Sequence, residues 1–418
     1  MTILIEELAY QLSGKLLLRK ELPLDETEII ELLKSGLIQT TPSIVKKGFF
    51  YECQRCGNRK NFLLAKIPCM TCGTLHMYCR KCIQMGRVME CEPLYEWTGP
   101  SPVWHSLESP LTWSGELTTA QQYAAQEMVK TLKKKDSELL VWAVCGSGKT
   151  EMLFPAIEKS LQQGKRICIA TPRADVVREL LPRLQQAFQN ANIQGLYGGS
   201  NKHQTSSQLV IATTHQLLRY KRAFDVMIID EMDAFPYHAD PSLPFATERA
   251  QKVGASTIYL TATPRKSHIN RMARKQLPHV FVPIRFHGHP LPVPRLKMCM
   301  DLRKQLTNYK PPKAFKTWLY QRKQPKRQLL IFLPTIELVE HMLKHIKAFV
   351  GDSSLSYPLH IVQAVHAEDP QREEKIQSFR ERQIDVLLTT TILERGVTFP
   401  SVDVAVINAG HEVFDEAA

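Results

Sequence analysis

The sequence predicts an α/β protein in which a small cysteine-rich module precedes two lobes, each built on a parallel sheet. From about residue 108 onward, short apolar runs alternate with amphipathic stretches of helix length, a pattern typical of buried parallel strands joined by helices. Upstream of these runs, three C-x-x-C pairs lie between Cys53 and Cys82. A segment rich in proline and histidine, HVFVPIRFHGHPLPVPRLK, interrupts the strand–helix pattern and predicts the boundary between the lobes.

Changes in composition divide the chain into five predicted segments. The first 48 residues carry apolar positions at helical spacing, and residues 93–107 are rich in Pro, Ser and Trp without any period. A length of 418 residues is enough for two or three domains with proper cores. The predicted segments are an N-terminal helical segment (1–48), a cysteine-rich, zinc-ribbon-like module (49–92), a linker (93–107), a first lobe (108–290) and a second lobe (291–418).

Charge and hydropathy narrow the class of protein. Lys and Arg number 54 against 41 Asp and Glu, and the net charge of +13 favours a polyanionic partner. No run of about 18 apolar residues is present, and the N-terminal segment lacks the basic-then-apolar layout of a secretion signal. We therefore expect a cytoplasmic protein without a transmembrane segment, in which paired cysteines bind metal rather than form disulfides.

A loop between a predicted strand and a predicted helix indicates a phosphate-binding site. The strand ELLVW leads into AVCGSGKT, and the helical pattern EMLFPAIEKSLQQG follows. Gly146 and Gly148 let backbone N–H groups surround phosphate oxygens. Lys149 places a positive charge on the β and γ phosphates of ATP, and Thr150 offers a hydroxyl ligand to Mg²⁺. The predicted nucleotide-binding residues of this loop are Cys145, Gly146, Ser147, Gly148, Lys149, Thr150 and Glu151.

Carboxylates at the end of a later strand complete the predicted ATPase site. The apolar run FDVMII ends at Asp230 and Glu231, where α/β sheets bind their ligands. Asp230 is predicted to hold Mg²⁺ through water and Glu231 to orient and deprotonate the attacking water, so both join Lys149 as catalytic residues. Upstream, the amide of Gln121 suits the edge of adenine, although an ordinary capped helix start at Thr118 or Thr119 explains this segment equally well.

Polar groups that follow the other predicted strands suit contacts to a sugar–phosphate backbone. Their order resembles the nucleic-acid motifs of superfamily 2 helicases, and Thr261-Ala262-Thr263 resembles the motif that links the ATP site to the nucleic-acid groove. Taken singly, each segment is also explained as a polar loop or a helix start. The residues predicted to contact nucleic acid are Thr171, Pro172, Arg173, Gly198, Gly199, Thr214, His215, Thr389 and Thr390, and those predicted to face the nucleotide across a cleft are Arg395 and Gly396.

Several longer strings narrow the resemblance to one family. They are AVCGSGKTEMLFP, TTHQLLRYK, DEMDAFPY, VHAED and TTTILERGVTFP. Preceded by cysteine pairs, they resemble the ComFA family of bacterial competence ATPases over nearly the whole chain. The resemblance implies two RecA-like lobes and ATP-driven movement of single-stranded DNA during transformation. It also implies work at the inner face of the membrane, with other competence proteins and a membrane DNA channel as partners.

The cysteine pairs indicate a zinc site. Each pair places two thiolates on one tight turn, and a tetrahedral Zn²⁺ needs two pairs, but spacing alone leaves open which pairs combine. The resemblance favours the first and third pairs, because QRCGN and YCRKCIQMGR look like zinc knuckles of the family. The predicted ligands are Cys53, Cys56, Cys79 and Cys82. Cys69 and Cys72 are expected in the intervening loop. With His76 and Cys91 the module holds eight potential ligands, so a two-zinc arrangement is also open.

Basic and aromatic residues surround the cysteines, and this combination suits single strands by phosphate attraction and base stacking. A solvated surface over a small aromatic core explains them equally well. The residues are Lys46, Lys47, Arg55, Arg59, Lys60, Lys66, Arg80, Lys81 and Arg87, with Phe49, Phe50, Tyr51, Phe62 and Tyr78.

Three other functions share parts of this pattern. A DExD-box RNA helicase would prefer RNA, a restart-type DNA helicase would unwind forked duplexes, and a nucleotide-gated DNA-binding scaffold would bind DNA without moving along it. The resemblance also implies a later glutamine–glycine–arginine segment whose arginine contacts the γ phosphate. The 418 residues stop before that segment. The second lobe is therefore expected either to be truncated or to lack this arginine, and we expect this form to hydrolyse ATP weakly.

Overall fold

The computed structural model divides the chain into two compact units, Met1–Leu291 and Pro292–Ala418. The residues that the structure describes are 2–200, 207–288, 293–351, 355, 357, 359–393, 399, 401–411 and 413–414.

The N-terminal module of the first unit combines two helices with short antiparallel strands. Its helices are α1 (Thr2–Leu12) and α2 (Glu26–Lys34), and its strands are β1 (Leu16–Leu17), β2 (Ile38–Thr41), β3 (Ile44–Lys47), β4 (Phe50–Cys53), β5 (Leu64–Pro68), β6 (Leu75–Cys79), β7 (Val88–Met89) and β8 (Leu94–Trp97). The sheets are β1–β8–β2, the pair β3–β4, and β5–β6–β7. The predicted linker therefore begins with β8, which lies between β1 and β2.

The first lobe is a seven-stranded parallel sheet flanked by helices. Its strands are β9 (Glu138–Ala143), β10 (Ile167–Thr171), β11 (Ile193–Leu196), β12 (Leu209–Thr213), β13 (Phe224–Asp230), β14 (Gln251–Thr261) and β15 (His279–Val282). Its helices are α3 (Thr119–Thr131), α4 (Lys149–Gln162), α5 (Ala174–Ala187), α6 (Ser242–Ala250) and α7 (Lys266–Ala273). The strand order is β11–β12–β10–β13–β14–β9–β15, with all pairs parallel. β10 and β12 are buried at every position, as expected for strands covered on both faces.

The two faces of this sheet pack against different partners. Alternate residues of a strand point to opposite faces, so Ile167 and Ile169 of β10 lie in one apolar cluster with α3, α4 and α5. Cys168 and Ala170 lie in a second cluster, which also contains Leu18 and other residues of the N-terminal module. The module therefore shares a core with the first lobe.

The second unit contains a four-stranded parallel sheet. Its strands are β16 (Gln328–Phe332), β17 (Val362–Val365), β18 (Val386–Thr389) and β19 (Val402–Val406), and its helices are α8 (Leu302–Thr307), α9 (Lys313–Tyr320), α10 (Ile336–Val350) and α11 (Arg372–Arg380). The strand order is β17–β18–β16–β19, and α9 and α10 contribute to the core on one face. The predicted fold class, two parallel-sheet lobes preceded in the sequence by a cysteine-rich module, is confirmed.

Candidate functional site

The predicted phosphate loop joins β9 to α4. Gly146 and Gly148 have φ angles of +76° and +73°, which favour glycine because a side chain is strained there. A Cβ atom on Gly148 would also lie 2.3 Å from Nε2 of Gln121. Helix α4 begins at Lys149, so its first N–H groups, which lack carbonyl partners within the helix, adjoin the loop. The two glycines and the first N–H groups of α4 are therefore compatible with phosphate binding, and a Cβ atom at Gly148 would collide with Gln121.

Gln121 holds this loop from the side. Its Oε1 accepts a hydrogen bond from the backbone N–H of Thr118 at 2.8 Å, and its Nε2 donates to the carbonyl of Ser147 at 2.8 Å. Thr118 caps α3 in return, which is the helix start considered from the sequence. The amide therefore positions the phosphate loop, and its reading of adenine stays a prediction.

The predicted carboxylates lie at the carboxyl end of β13, the central strand of the sheet. Burial raises the pKa of Asp230, and the positive charge of Lys149 opposes that rise. The Glu231 backbone has a φ of +54° and donates a hydrogen bond to Oδ1 of Asp230 at 2.9 Å. A positive φ at a non-glycine residue is strained, and such strain is concentrated at functional sites. Arg173 Nε lies 4.0 Å from Oε2 of Glu231.

A third carboxylate links this strand end to the next one. The hydroxyls of Thr261 and Thr263 donate hydrogen bonds to the two oxygens of Asp233. Trp142, on the strand that leads to the phosphate loop, donates from Nε1 to the carbonyl of Ala262 at 3.0 Å. The Thr-Ala-Thr segment therefore bonds both to the acidic turn and to the phosphate-loop strand.

Two arginines near the phosphate loop were not identified from the sequence. Arg183 on α5 donates to Oε1 of Glu151 at 2.5 Å, so this predicted nucleotide-binding carboxylate already has a basic partner. A Cβ atom on Gly146 would lie 3.0 Å from Nε of Arg285, which places that guanidinium beside the loop. Arg285 follows β15 in the aperiodic Pro/His-rich segment, so no local pattern marks it.

The predicted nucleic-acid residues differ in exposure. Gly198 and Gly199 are exposed, Arg173 and His215 are half-buried, and burial lowers the pKa of His215. The remaining predicted contacts are buried, so their side chains do not lie on the surface. They are Thr171, Pro172, Thr214, Thr389 and Thr390. Arg395 and Gly396 lie outside the described residues.

The four predicted zinc ligands meet in the core of the module. The thiols of Cys53, Cys56, Cys79 and Cys82 all lie within 4.8 Å of one another and are at most 1% exposed. Two pairs of Sγ atoms are 3.8 and 3.6 Å apart, close to the separation of about 3.8 Å that Zn–S bonds of about 2.3 Å imply in a tetrahedron. Hydrogen bonding among the thiols lowers the pKa of Cys79 and raises that of Cys82. This donor set is compatible with zinc.

Cys69 and Cys72, which were expected in the intervening loop, lie between β5 and β6. Their thiols form a second group with Cys91, again within 4.8 Å of one another. The structure thus separates the seven cysteines of the module into a group of four and a group of three.

Glu21 ties the four-cysteine site to the first lobe. Its carboxylate lies 2.7 Å from Nη2 of Arg55 and 2.7 Å from Nε of Arg219. Burial alone would raise the pKa of Glu21, but the two guanidinium groups lower it. The side chain of Arg55 is fully buried, so its prediction as part of a basic DNA-binding surface is wrong.

Arg249 on α6 makes a second tie. Its guanidinium donates to the carbonyls of Gln54 and Arg55 in the cysteine module, at 2.9 and 2.6 Å. It also donates to the carbonyls of Leu218 and Tyr220 in the first lobe, at 2.7 and 3.0 Å. Burial lowers the pKa of Arg249 to about 10, so the side chain remains charged at neutral pH.

Comparisons with known proteins identify the family. A model described as "Competence protein ComFA N-terminal domain" matches residues 4–96. Competence protein ComFA of Bacillus subtilis (strain 168) is 46% identical over 415 residues, which cover 99% of this chain and 86% of that protein. The chain belongs to the ComFA family. Competence protein ComFA of Streptococcus pneumoniae is 33% identical over 405 residues, covering 97% of this chain and 88% of the relative.

The rest of this ComFA-family chain is helicase-like. Residues 114–266 match the model "Type III restriction enzyme, res subunit", and residues 311–412 match "Helicase conserved C-terminal domain". In fold, it is similar to Saccharomyces cerevisiae Dbp5 bound to RNA and ADP BeF3, with a TM-score of 0.50 and 17% identity over 69% of this chain and 74% of that one. These matches indicate a helicase-type enzyme of superfamily 2, with ATP and Mg²⁺ as implied cofactors and nucleic acid as the implied partner.

The described part of the chain contains no helix that is long and apolar enough to cross a membrane.

Proposed function

We propose that this ComFA-family protein is an ATP-dependent single-stranded DNA translocase that acts in DNA uptake during transformation. The observation that carries the proposal is the pair of hydrogen bonds from Thr261 and Thr263 to Asp233, next to the predicted catalytic carboxylates. Such a link lets a change at the ATP site alter the neighbouring strand ends, where the predicted DNA contacts lie.

The chemistry we propose for the ATP site rests on residues around the phosphate cradle. Lys149 neutralises the β and γ phosphates, and Thr150 together with Asp230 holds Mg²⁺, which supplies charge neutralisation when bound. Glu231 orients and deprotonates the attacking water. The backbone of residues 145–151 binds the phosphates, and Gln121 supports this loop by donating a hydrogen bond to the carbonyl of Ser147.

Contacts to DNA would be independent of base sequence. Arg173 and His215 offer half-buried polar side chains, and Gly198 and Gly199 offer exposed backbone. At the buried threonines, contact would come from main-chain N–H groups, which bind phosphate oxygens without reading bases. Arg173 lies 4.0 Å from Glu231. DNA bound at Arg173 would therefore act on the proposed catalytic carboxylate through this ion pair.

The wider role follows from family membership. The net charge of +13 favours polyanions, and the named relatives are competence proteins. We infer that other competence proteins and a membrane DNA channel are the partners, and that the protein works in the cytoplasm at the inner face of the membrane.

The test is the rate of ATP hydrolysis by the full-length protein, with and without single-stranded DNA. We expect stimulation by DNA, and a loss of about 100-fold or more in Lys149→Ala. Lys159→Ala, on the same helix, is the matched control and should keep the stimulation. Hydrolysis that survives Lys149→Ala contradicts the assigned site.

A second arm tests the link to Asp233. The double variant Thr261→Ala, Thr263→Ala should bind single-stranded DNA yet lose most of the stimulated hydrolysis, whereas Thr307→Ala, an exposed threonine of α8, should not. Equal stimulation by RNA would favour an RNA helicase, and efficient unwinding of forked duplex a restart-type helicase. If ATP does not change the affinity for DNA and the protein does not hydrolyse ATP, a nucleotide-gated DNA-binding scaffold would be favoured.

A further inference from the structure

A second set of metal-ligating side chains lies at the edge of the β5–β6–β7 sheet. Sγ of Cys69 lies 3.6 Å from Sγ of Cys91, and both lie within 4.8 Å of Sγ of Cys72. Thiolates on one tetrahedral zinc are about 3.8 Å apart when the Zn–S bonds are about 2.3 Å, whereas a disulfide bond is about 2.0 Å long. The spacing therefore fits three ligands of one ion.

The backbone that presents two of these thiols repeats the backbone of the four-cysteine site. The carbonyl of Cys53 accepts a hydrogen bond from the N–H of Gly57 at 2.8 Å, and that glycine has a φ of +70°. The carbonyl of Cys69 accepts from the N–H of Gly73 at 2.9 Å, and that glycine has a φ of +69°. In each turn the first cysteine also donates to the carbonyl five residues later, at 3.0 and 2.9 Å. Both C-x-x-C-G turns are thus shaped to aim two thiols at one point.

An imidazole lies near one of the three thiols. Thr74 Oγ1 is 3.1 Å from Sγ of Cys72 and 2.7 Å from Nε2 of His76, so the Thr74 hydroxyl bridges the ring and the Cys72 thiol. On the other side of the ring, Nδ1 of His76 lies 3.9 Å from Oε2 of Glu90. A carboxylate behind the distal nitrogen is the usual arrangement around a metal-bound histidine, because it orients the ring and raises its basicity.

We propose that Cys69, Cys72, Cys91 and His76 bind a second Zn²⁺. Three thiolates and one imidazole form a closed tetrahedral set of the structural type. The imidazole reaches the ion by a side-chain rotation that displaces the Thr74 hydroxyl. The ion joins the β5–β6 turn to the chain segment between β7 and β8. It thereby stabilises the outer end of the module, which is too small to have a large core of its own.

The first test is the zinc content of the purified full-length protein, measured as metal per chain by mass spectrometry. We expect two ions, and one ion in Cys72→Ser and in Cys91→Ser, with circular dichroism confirming that both variants fold. Cys299→Ser, which changes a cysteine of the other unit, should keep two. One zinc in the unaltered protein, or two zinc ions in both of the serine variants, overturns the proposal.

The second test separates the histidine from the thiols. His76→Ala should release one of the two ions to a chelator about 10-fold faster or more, while the other ion is released at its original rate. Cobalt substitution gives an independent readout, because the absorption of the second site should match three thiolates and one nitrogen. A release rate unaltered by His76→Ala, or a disulfide between Cys69 and Cys91 in the native protein, contradicts the assignment.

Discussion

The two cysteine groups of the module share their turn geometry but differ in their surroundings. The group at Cys53 is at most 1% exposed and packs within the core that the module shares with the first lobe. In the group at Cys69, Cys72 is exposed and Cys91 is half-buried. The two groups have the same local turn. The group at Cys53 packs in the core shared with the first lobe, whereas the group at Cys69 lies at the outer end of the module. Position in the tertiary structure, rather than the ligand set, decides what each group stabilises.

Arg249 and Glu21 explain why the first group matters to the lobe. They bridge the four-cysteine turn to the 3₁₀ helix Thr214–Arg219, which contains two of the predicted DNA contacts. Lys81, next to Cys82 of the four-cysteine group, pairs with Asp240 at 2.6 Å, just before α6. Loss of the four-cysteine group should thus disturb the 3₁₀ helix with the predicted DNA contacts, whereas loss of the second group should not.

The largest difference is expected between ligand substitutions in the two groups. Cys79→Ser should lower the free energy of unfolding of the first unit by about 3 kcal/mol or more, because structural zinc contributes folding energy directly. Urea unfolding followed by circular dichroism measures this change. Cys168→Ser, a buried cysteine outside both groups, controls for the loss of a buried thiol. A Cys79→Ser protein as stable as the parent would show that this group does not hold a structural ion.

Arg249→Met should have the next largest effect. It leaves four carbonyls without their donor between module and lobe, at a cost of about 3 kcal/mol. Thermal unfolding measures the loss, and affinity for single-stranded DNA should fall with it because the 3₁₀ helix loses a support. Arg271→Met, which changes a half-buried arginine of α7 paired with Glu138, is the control. Equal losses in the two variants would contradict the proposed link between module and lobe.

Gly57 and Gly73, which follow the C-x-x-C turns of the two groups, allow a direct comparison of the surroundings of the two groups. Gly57→Ala places a Cβ atom 2.9 Å from the ring of Phe245 in the first lobe, whereas Gly73→Ala meets nothing within 4 Å. Both positions have φ near +70°, so both substitutions should cost about 1 kcal/mol from backbone strain. The contact with Phe245 should add about 1 kcal/mol at Gly57 alone. Equal melting temperatures for the two variants would contradict the different surroundings.

The smallest effect is expected for Cys72→Ser. The side chain is exposed and remote from the shared core, so the free energy of unfolding of the first lobe should change by less than about 1 kcal/mol. Hydrogen exchange should nevertheless become faster in β5 and β6. Faster exchange throughout β10 and β13 as well would mean that the two groups are not independent.

The residues proposed for the ATP site could be singled out from the sequence because they are neighbours along the chain. The loop from Cys145 to Thr150 and the turn at Asp230 each lie where a buried strand ends, and parallel strands place such ends along one edge of the sheet. The hydrogen-bond partners of Gln121 and Glu151 could not be predicted from a local pattern, because each partner is at least 26 positions away in the chain.

The sequence by itself determined the class of fold, the strand–loop–helix at the phosphate site and the family. These depend on periodicity, on short motifs and on long matching strings, all of which are local in the chain. Only the tertiary structure decided that Cys91 lies beside Cys69, that Arg55 is buried against Glu21, and that the N-terminal module shares an apolar core with one face of the first-lobe sheet. Packing brings these groups together from distant parts of the chain, and burial is a property of the folded surroundings rather than of the residue.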